Sequence, residues 1–188
     1  MTLAQIMTLA LRQLDEDAQD LSEYESAFKV YANIGYDIAV REYLKPKEWF
    51  EVKTDERGEA IIDDHRILRV VKVKTAKGGH ETAFSLLEDG TGIATKEKNA
   101  RLNMLCEVGA ADMTLETDEP ILPRRVHHAL ADYICFRHLS CGNMAKQAKA
   151  QFFLTGFHQA MRTLRPQGMG SAKAYENLYA QTDIRNVR

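Results

Sequence analysis

The chain has 188 residues, of which 45% are hydrophobic and 28% are charged, as is usual for a folded globular protein. Its formal net charge of −2 argues against a general nucleic-acid-binding protein, which would carry a clear basic excess, but leaves room for a local basic patch. The three cysteines are an odd and sparse set, so a disulfide scaffold is not expected. Without a basic leader or an apolar run long enough to cross a bilayer, we expect a soluble protein made in a reducing cytosol.

Two helices are predicted at the N-terminal end of the chain. A capping box that begins at Thr2 opens the first, whose apolar face repeats at helical spacing through Leu3, Ile6, Met7, Ala10, Leu11 and Leu14. A second capping box, which begins at Ser22, opens a longer helix that should end near Tyr43, because Pro46 cannot continue it. The buried stripe of this second helix is predicted to be Phe28, Tyr31, Ile34, Ile38 and Ala39.

Residues 49–117 are interpreted as a small antiparallel sheet or a set of hairpins. Asp55–Gly58 has the composition of a β-turn with glycine at its last position. No strand is assigned between Glu88 and Arg101. Residues that favour strands are concentrated in the segments 49–52, 60–62, 67–74, 84–87 and 102–108.

Two further helices are predicted after the β region. Pro123 suits the first turn of a helix over Arg124–Cys141, where its missing N–H is harmless. That helix is apolar around much of its circumference, which is typical of a helix surrounded by neighbours. Gly142 and Asn143 mark a short turn, after which a second helix packs back as an antiparallel hairpin. The apolar residues of this second helix are Ala150, Phe153, Leu154, Phe157, Met161 and Leu164.

The strongest candidate for chemistry is the Cys-x-x-His-x-x-Cys pattern of Cys135, His138 and Cys141, with His127 and His128 upstream. On one helix, residues six apart point roughly 120° away from each other, so the two cysteines cannot share a tetrahedral zinc ion. We therefore interpret both cysteines as small buried hydrophobes and His138 as a partly exposed surface residue. A nucleophilic pair of Cys135 with a histidine is also disfavoured, because Cys135 lies mid-helix among apolar residues rather than at an electropositive helix N-terminus.

The remaining polar motifs show no spacing that catalysis demands. Neighbouring carboxylates point apart in strands or loops, and we interpret as solvated loop charge Asp63, Asp64, Glu116, Asp118 and Glu119. The glycine pairs Gly78-Gly79 and Gly90-x-Gly92 lack the lysine and hydroxyl residue that end a phosphate-binding loop. No catalytic residue, metal ligand or cofactor-binding residue is therefore predicted.

Arg124 and Arg125, with His127 and His128, form a basic cluster at the start of the third predicted helix. Cations at a helix start oppose the helix dipole, and this misfit makes the two arginines candidates for a surface that faces a partner or DNA in a channel. The favoured alternative is pairing with the acidic residues just upstream, Asp118 and Glu119.

The order of these segments resembles that of the phage head–tail connector (adaptor) proteins, which attach beneath the portal of tailed bacteriophages. The resemblance covers roughly residues 1–165 and runs through the motifs TLAQI, YANIGYDIAVREYL, DDHRILRVVKV and DEPILPRRVHHALADYICFRH, followed by an amphipathic FxxxFHxxM helix. Its most specific part is Pro120–Tyr133, where an acidic, proline-containing segment leads into a helix.

The resemblance implies a mainly α (α+β) fold: a helical bundle of about four helices with a small antiparallel β insertion and an extended C-terminal tail. Residues 1–170 would form one connector domain, with the β insertion at roughly 49–117, and residues 171–188 would form an arm for partner docking. The arm is apolar at a few positions among polar residues, and there we predict the portal-binding anchors Tyr175, Leu178, Tyr179 and Ile184.

In function, the resemblance implies a structural protein of the virion neck, present in the host cytoplasm during assembly, without catalytic activity, cofactor or membrane contact. About twelve copies would form a ring on the portal protein and bind the next neck or tail protein, with DNA passing through the lumen. Two alternatives from other classes stay open: a small cysteine- and histidine-dependent hydrolase or metal-binding enzyme, and a DNA-binding regulator.

Overall fold

The computed structural model describes residues 1–15, 21–88 and 90–164. Within these ranges one lobe consists of four α-helices: α1 (Leu3–Gln13), α2 (Leu21–Ile38), α3 (His128–Ser140) and α4 (Met144–Arg162). The other lobe consists of six β-strands: β1 (Lys47–Lys53), β2 (Glu59–Ile61), β3 (Ile67–Thr75), β4 (Phe84–Leu86), β5 (Gly92–Thr95) and β6 (Arg101–Val108). A π-helical segment, Ala39–Leu44, follows α2, and a 3-10 turn, Arg124–Val126, leads into α3.

α3 lies at the centre of the helical lobe and packs against α1, α2 and α4. Its buried side chains point in several directions around the helix: Ala129, Leu130, Ala131, Tyr133, Ile134, Cys135 and Leu139. The prediction that this helix is surrounded by neighbours is therefore confirmed. α2 approaches it so closely that a Cβ added at Gly35 would lie 2.7 Å from Cδ1 of Tyr133. The contact thus requires a residue without a side chain at position 35.

The strands form two three-stranded antiparallel sheets, with the strand orders β1-β6-β3 and β2-β5-β4. Alternate residues of β6, from Leu102 to Val108, are buried, so one face of the first sheet is turned inward. The inward side chains form a hydrophobic cluster separate from that of the helices: Ala60, Val70, Val73, Ile93, Leu102, Met104 and Cys106. The β lobe therefore has a core of its own.

The chain returns from the β lobe to the helices through residues 109–123, which we call the strap. Met113 of the strap is buried in the helical core. The Asn33 side chain on α2 accepts a hydrogen bond from the Met113 N–H (2.9 Å) and donates one to the Met113 carbonyl (3.1 Å). The Asp118 carbonyl accepts from the N–H of Leu3 (2.8 Å), one of the donors that a helix start leaves unpaired. The strap thus fastens the β lobe to α1 and α2.

The predicted fold class, a mainly helical bundle of about four helices with a small β insertion, is wrong. The structure is an α+β fold with 44% helix and 22% strand, although the mixed class named in the prediction is compatible with it. The physical reason lies in the inward face of the β1-β6-β3 sheet, which is covered by the second sheet and needs no helix for its burial. The extended C-terminal tail and the arm, residues 171–188, lie outside the described residues.

Most of the predicted elements are confirmed. Thr2 and Gln5 form the capping box of α1, whose buried face is the predicted one from Leu3 to Leu11. The five predicted strand segments correspond to β1, β2, β3, β4 and β6. The helix before Pro46 ends as predicted, in a π-helical turn followed by Lys45 in a left-handed conformation.

Three details of the element prediction are wrong. Ser22 does not cap the second helix, because it lies inside α2, which already includes Leu21. β5 lies between Glu88 and Arg101, where the sequence predicts no strand; it pairs with β2 and β4, and its Ile93 is buried in the core of the β lobe. Ile34 is 38% exposed rather than buried, because α2 turns Ala32 and Tyr36 toward the core instead. Within the described ranges, no helix combines the length and the apolar content that crossing a bilayer requires.

Replacing Gly35 with alanine should destabilise the protein by about 1 to 2 kcal/mol, the usual cost of overpacking a core. The added methyl meets the near end of the Tyr133 side chain, with Cγ at 2.8 Å and Cβ at 3.0 Å, so it cannot be accommodated by rotating a flexible tip. This clash outweighs the roughly 1 kcal/mol by which alanine favours a helix over glycine. Urea denaturation followed by circular dichroism measures the free energy of unfolding.

Gly109→Ala is the matched control, because a Cβ at Gly109 would meet only ordinary contacts at 3.6 Å. Its effect should stay within about 0.5 kcal/mol. Equal free energies of unfolding for the two variants would contradict the close approach of α2 and α3.

Candidate functional site

Cys135, the centre of the cysteine–histidine pattern, lies in the core between α1 and α3. Its single S–H group has two acceptors within reach, the Ala10 carbonyl (3.4 Å from Sγ) and Oε1 of Gln13 (3.3 Å). Burial, with a smaller contribution from the nearby Asp132 carboxylate, raises the pKa of this thiol to about 12. A thiol with so high a pKa stays protonated at neutral pH and is a poor nucleophile. Cys135 is buried as predicted, whereas Cys141 is exposed, contrary to prediction, because it lies just beyond the last turn of α3.

The histidines of the pattern lie in three separate environments. His127 is buried, and its Nε2 is 2.6 Å from the Leu122 carbonyl. His128, the next residue, is exposed. The ring of His138 packs edge-on against Tyr24, with ring centroids 5.3 Å apart. Consistent with this dispersal, no group of three or more His, Cys, Asp or Glu residues in the described ranges could hold a metal ion.

Two of the acidic residues singled out in the sequence organise their own loops. Asp64 accepts hydrogen bonds from the guanidinium group and the backbone N–H of Arg66, and these bonds lower the pKa of its carboxyl group. Asp118 accepts from the backbone N–H groups of Leu115 and Thr114, which lower its pKa in the same way. Both carboxylates are therefore occupied in holding turns.

The predicted basic cluster is divided among different contacts. Arg124 is exposed and pairs with Glu119 at 3.3 Å, which is the alternative considered for it from the sequence. Arg125 donates to the carbonyl of Thr163 (3.4 Å) just past the end of α4, while His127 is buried. The two arginines are on the surface, but the cluster does not form one continuous cationic patch.

The predicted portal anchors lie outside the described residues: Tyr175, Leu178, Tyr179 and Ile184. They stay a prediction from the sequence. The described residues offer two other interaction surfaces, one on α4 and one beside α2.

The first surface, which we call the α4 stripe, runs along the outer side of α4. This helix buries Ala150, Phe153, Phe157 and Met161. At 100° per residue, the opposite side consists of Met144, Ala148, Phe152, Thr155 and Gln159, with Arg162 at its C-terminal end; all six are exposed, and Arg162 alone among them is charged. Met144 and Phe152 are 86% and 75% exposed, which is unusual for side chains of this size. The α4 stripe therefore has the character of an unpaired packing face.

The second surface, which we call the α2 groove, is a concave space of about 730 Å³ between α2, β3 and the strap. Its apolar lining includes Val30, Ile34, Ile38, Leu68, Gly109 and Ala110. Val30, Ile34 and Leu68 are 53%, 38% and 39% exposed. The rim carries both signs of charge, with Asp37 and Arg41 forming an ion pair at 2.6 Å. An apolar floor with a polar rim is typical of a protein-binding surface.

Sequence reasoning missed both surfaces, though for different reasons. The α4 stripe could have been found by asking which residues oppose the apolar face from Ala150 to Met161, since helical spacing alone identifies them. The α2 groove could not, because it forms only when residues from α2, β3 and the strap come to line the same space.

We predict that thiol reagents will distinguish the three cysteines. Cys141 is exposed and should react quickly at pH 8, whereas Cys106 and Cys135 are buried, with pKa values raised by desolvation to about 11 and about 12. Titration with Ellman's reagent should therefore show one fast equivalent in the native protein and three in denaturant. The variant Cys141→Ser should lose the fast equivalent. If a thiol of that variant still reacted rapidly in the native protein, the result would support the alternative of a cysteine-dependent enzyme.

The stability of the protein should also depend on Asp132, whose pKa is raised by burial despite a hydrogen bond from Nε2 of Gln13 (3.0 Å). The folded protein then holds this proton more tightly than the unfolded chain, so the contribution of Asp132 to stability falls as pH rises from the ordinary value of 3.8 through the raised one. Asp132→Asn cannot ionise and so avoids that loss. Relative to the original chain, the variant should therefore be more favourable at pH 7 than at pH 4, as measured by thermal unfolding.

Asp118→Asn is the control of opposite sign, because hydrogen bonds lower the pKa of Asp118 in the folded protein. Its stabilising effect is present above the unfolded pKa and lost in acid, so the substitution should cost more at pH 7 than at pH 4. If the two variants changed stability with pH in the same direction, the buried environment of Asp132 and the hydrogen-bonded environment of Asp118 could not both be right.

Comparison with known proteins assigns no family to the chain. No protein-family model matches it, and no curated protein matches it. Its function is therefore inferred from the resemblance of its segments to head–tail connectors and from the surfaces described above.

Proposed function

We propose that the chain is a structural subunit of a phage virion, a head–tail connector without catalytic activity. In this proposal about twelve copies form a ring beneath the portal protein and bind the next neck or tail protein, and DNA passes through the lumen. The resemblance through Pro120–Tyr133 suggests the family. The observation that carries the proposal is the presence of two unlike apolar surfaces on one subunit.

A ring requires two different contact surfaces, because each subunit touches one neighbour with one face and the other neighbour with another. The α4 stripe is convex and the α2 groove is concave, so the stripe of one copy can enter the groove of the next. Phe152 is the natural anchor, since exposed aromatic side chains dominate the energy of such contacts.

The charges on the two helices differ in sign but do not determine the pairing. α4 carries three cations, Lys146, Lys149 and Arg162, and no carboxylate. Of the carboxylates on α2, only Asp37 lines the α2 groove, and it is paired with Arg41. Shape and exposed apolar area therefore carry the argument for this contact.

The surroundings of Cys135 argue against the rival enzymatic reading. Its thiol donates to groups of α1, and its pKa is raised far above neutrality. His127 and His138 contact other partners, the Leu122 carbonyl and the Tyr24 ring. No base is therefore placed to activate this thiol among the contacts that it makes.

The test of the proposal is co-purification of the full chain with the cognate portal protein, followed by electron microscopy of the complex. The expected result is an added ring on one end of the portal, with the symmetry of the portal. Deletion of residues 171–188 should weaken the attachment if the anchors in that arm bind the portal. A portal that elutes alone at micromolar concentrations of both proteins would refute the connector assignment.

Phe152→Asp should reduce ring occupancy on the portal at least tenfold, because a buried interface aromatic is worth about 2 kcal/mol or more. Its melting temperature should stay close to that of the original chain, since the side chain is 75% exposed in the subunit. Leu86→Asp, an equally drastic change at a 64% exposed position on neither surface, should leave occupancy unchanged. Occupancy is counted from electron micrographs at matched protein concentrations.

Ile34→Asp is the complementary substitution, which places a charge in the α2 groove and leaves the α4 stripe intact. A mixture of Phe152→Asp with Ile34→Asp retains one intact stripe and one intact groove, on different copies. If the contact is stripe-to-groove, the mixture forms pairs but no ring. Ring formation by Ile34→Asp alone would exclude the α2 groove from the contact.

A further inference from the structure

The outer face of the β1-β6-β3 sheet carries an excess of positive charge. Its residues are those that alternate with the buried positions of β6, together with their partners on β1 and β3. Six of its side chains are cationic: Lys47, Lys53, Arg69, Lys72, Lys74 and Arg101. We call this surface the basic sheet face. It belongs to a chain whose formal net charge is −2, so this local excess of positive charge does not follow from the overall composition.

Only half of these cations are neutralised by neighbours. The salt bridges on this face are Arg69–Glu107 (3.0 Å), Lys72–Glu81 (2.7 Å) and Arg101–Glu51 (3.4 Å). Among the described residues they leave Lys47, Lys53 and Lys74 without a carboxylate partner. The face therefore keeps a net positive charge after its internal pairing is complete.

One end of the face places like charges directly opposite each other. Lys53 on β1 pairs in register with Arg101 on β6, an arrangement that costs stability in a sheet. Lys53, Lys77 and Arg101 line the same cleft of about 450 Å³, which holds the single carboxylate Glu97. A site that concentrates cations at a cost to the fold is suited to an external anion.

Protection of sheet edges is the simpler explanation for lysines on β1 and β3, which are edge strands. It does not account for Arg101, which is on the central strand β6, nor for the repulsion between Arg101 and Lys53. Carboxylates would also protect an edge, yet the unpaired charges on this face are all positive. The bias in sign is therefore the feature that needs a ligand.

We propose that the basic sheet face binds the phosphate backbone of duplex DNA without sequence specificity. Single-stranded nucleic acid is less favoured, because such ligands stack on open aromatic rings. The exposed aromatic here, Trp49, has the Lys74 ammonium group 5.5 Å from its ring centroid. In the ring of the proposed function, this face would point toward the lumen through which DNA passes, and that orientation rests on the proposed function. The binding of DNA to the face does not, because it is a property of the single subunit.

The experiment uses the full chain in solution, without portal, and a 20-base-pair duplex of mixed sequence. Trp49 is the only tryptophan of the chain, so its fluorescence reports directly on this face. We expect the duplex to change the Trp49 emission at 20 to 50 mM salt. The logarithm of the binding constant should fall with the logarithm of salt concentration with a slope of about −3, as expected when roughly three phosphates are neutralised.

The double variant Lys53→Gln/Lys74→Gln should weaken binding at least tenfold and reduce the salt slope by about two. Lys146→Gln/Lys149→Gln removes the same charge from α4 and should leave binding unchanged, which separates a local site from net charge. Equal weakening by both double variants, tighter binding of a single strand than of the duplex, or no binding at 20 mM salt would overturn the proposal. A ring that forms on the portal while DNA binding is absent would refute this inference and leave the connector proposal intact.

Discussion

The packing of α3 against three other helices is the constraint on which the rest of the structure depends. α1, α2 and α4 each contribute one apolar face to it, and the glycine at position 35 lets the α2 backbone approach the Tyr133 side chain. Because the inner faces of α1, α2 and α4 are buried against α3, the outer faces of these helices are not part of the helical core. Large apolar side chains consequently remain exposed on the α4 stripe, at Met144 and Phe152, and on α2, at Val30 and Ile34.

Periodic patterns in the sequence predict the individual helices and strands well. They predict less well how these elements pack together. The capping box at Thr2, the apolar face of α1 and the strands β3 and β6 all follow from local spacing. Local spacing could not reveal that residues 49–117 close into two sheets around Ile93 and Met104, because that depends on β5, a four-residue strand with little signal of its own. The β region was therefore underestimated as an insertion.

The candidate sites show the same division between local and long-range information. Helical geometry alone separates Cys135 from Cys141, and in the structure Cys135 is buried whereas Cys141 is exposed. It could not foresee that Cys141 is exposed, since the end of α3 and the turn after it decide that. The basic sheet face arises from β1, β3 and β6, which are distant in the chain, so their cations look unremarkable until the register aligns them. A site that combines residues from several strands cannot be predicted from the sequence of any one segment.

The strap gives the α2 groove an unusual construction. The groove is lined by Ile34 of the helical lobe, by Leu68 of the β lobe and by residues of the strap. The width of the groove is consequently set by the angle between two bodies with separate cores, and the Asn33–Met113 hydrogen bonds fix that angle from one side. A change in that angle would widen or narrow the groove, so the shape of this surface is coupled to the relative position of the two lobes.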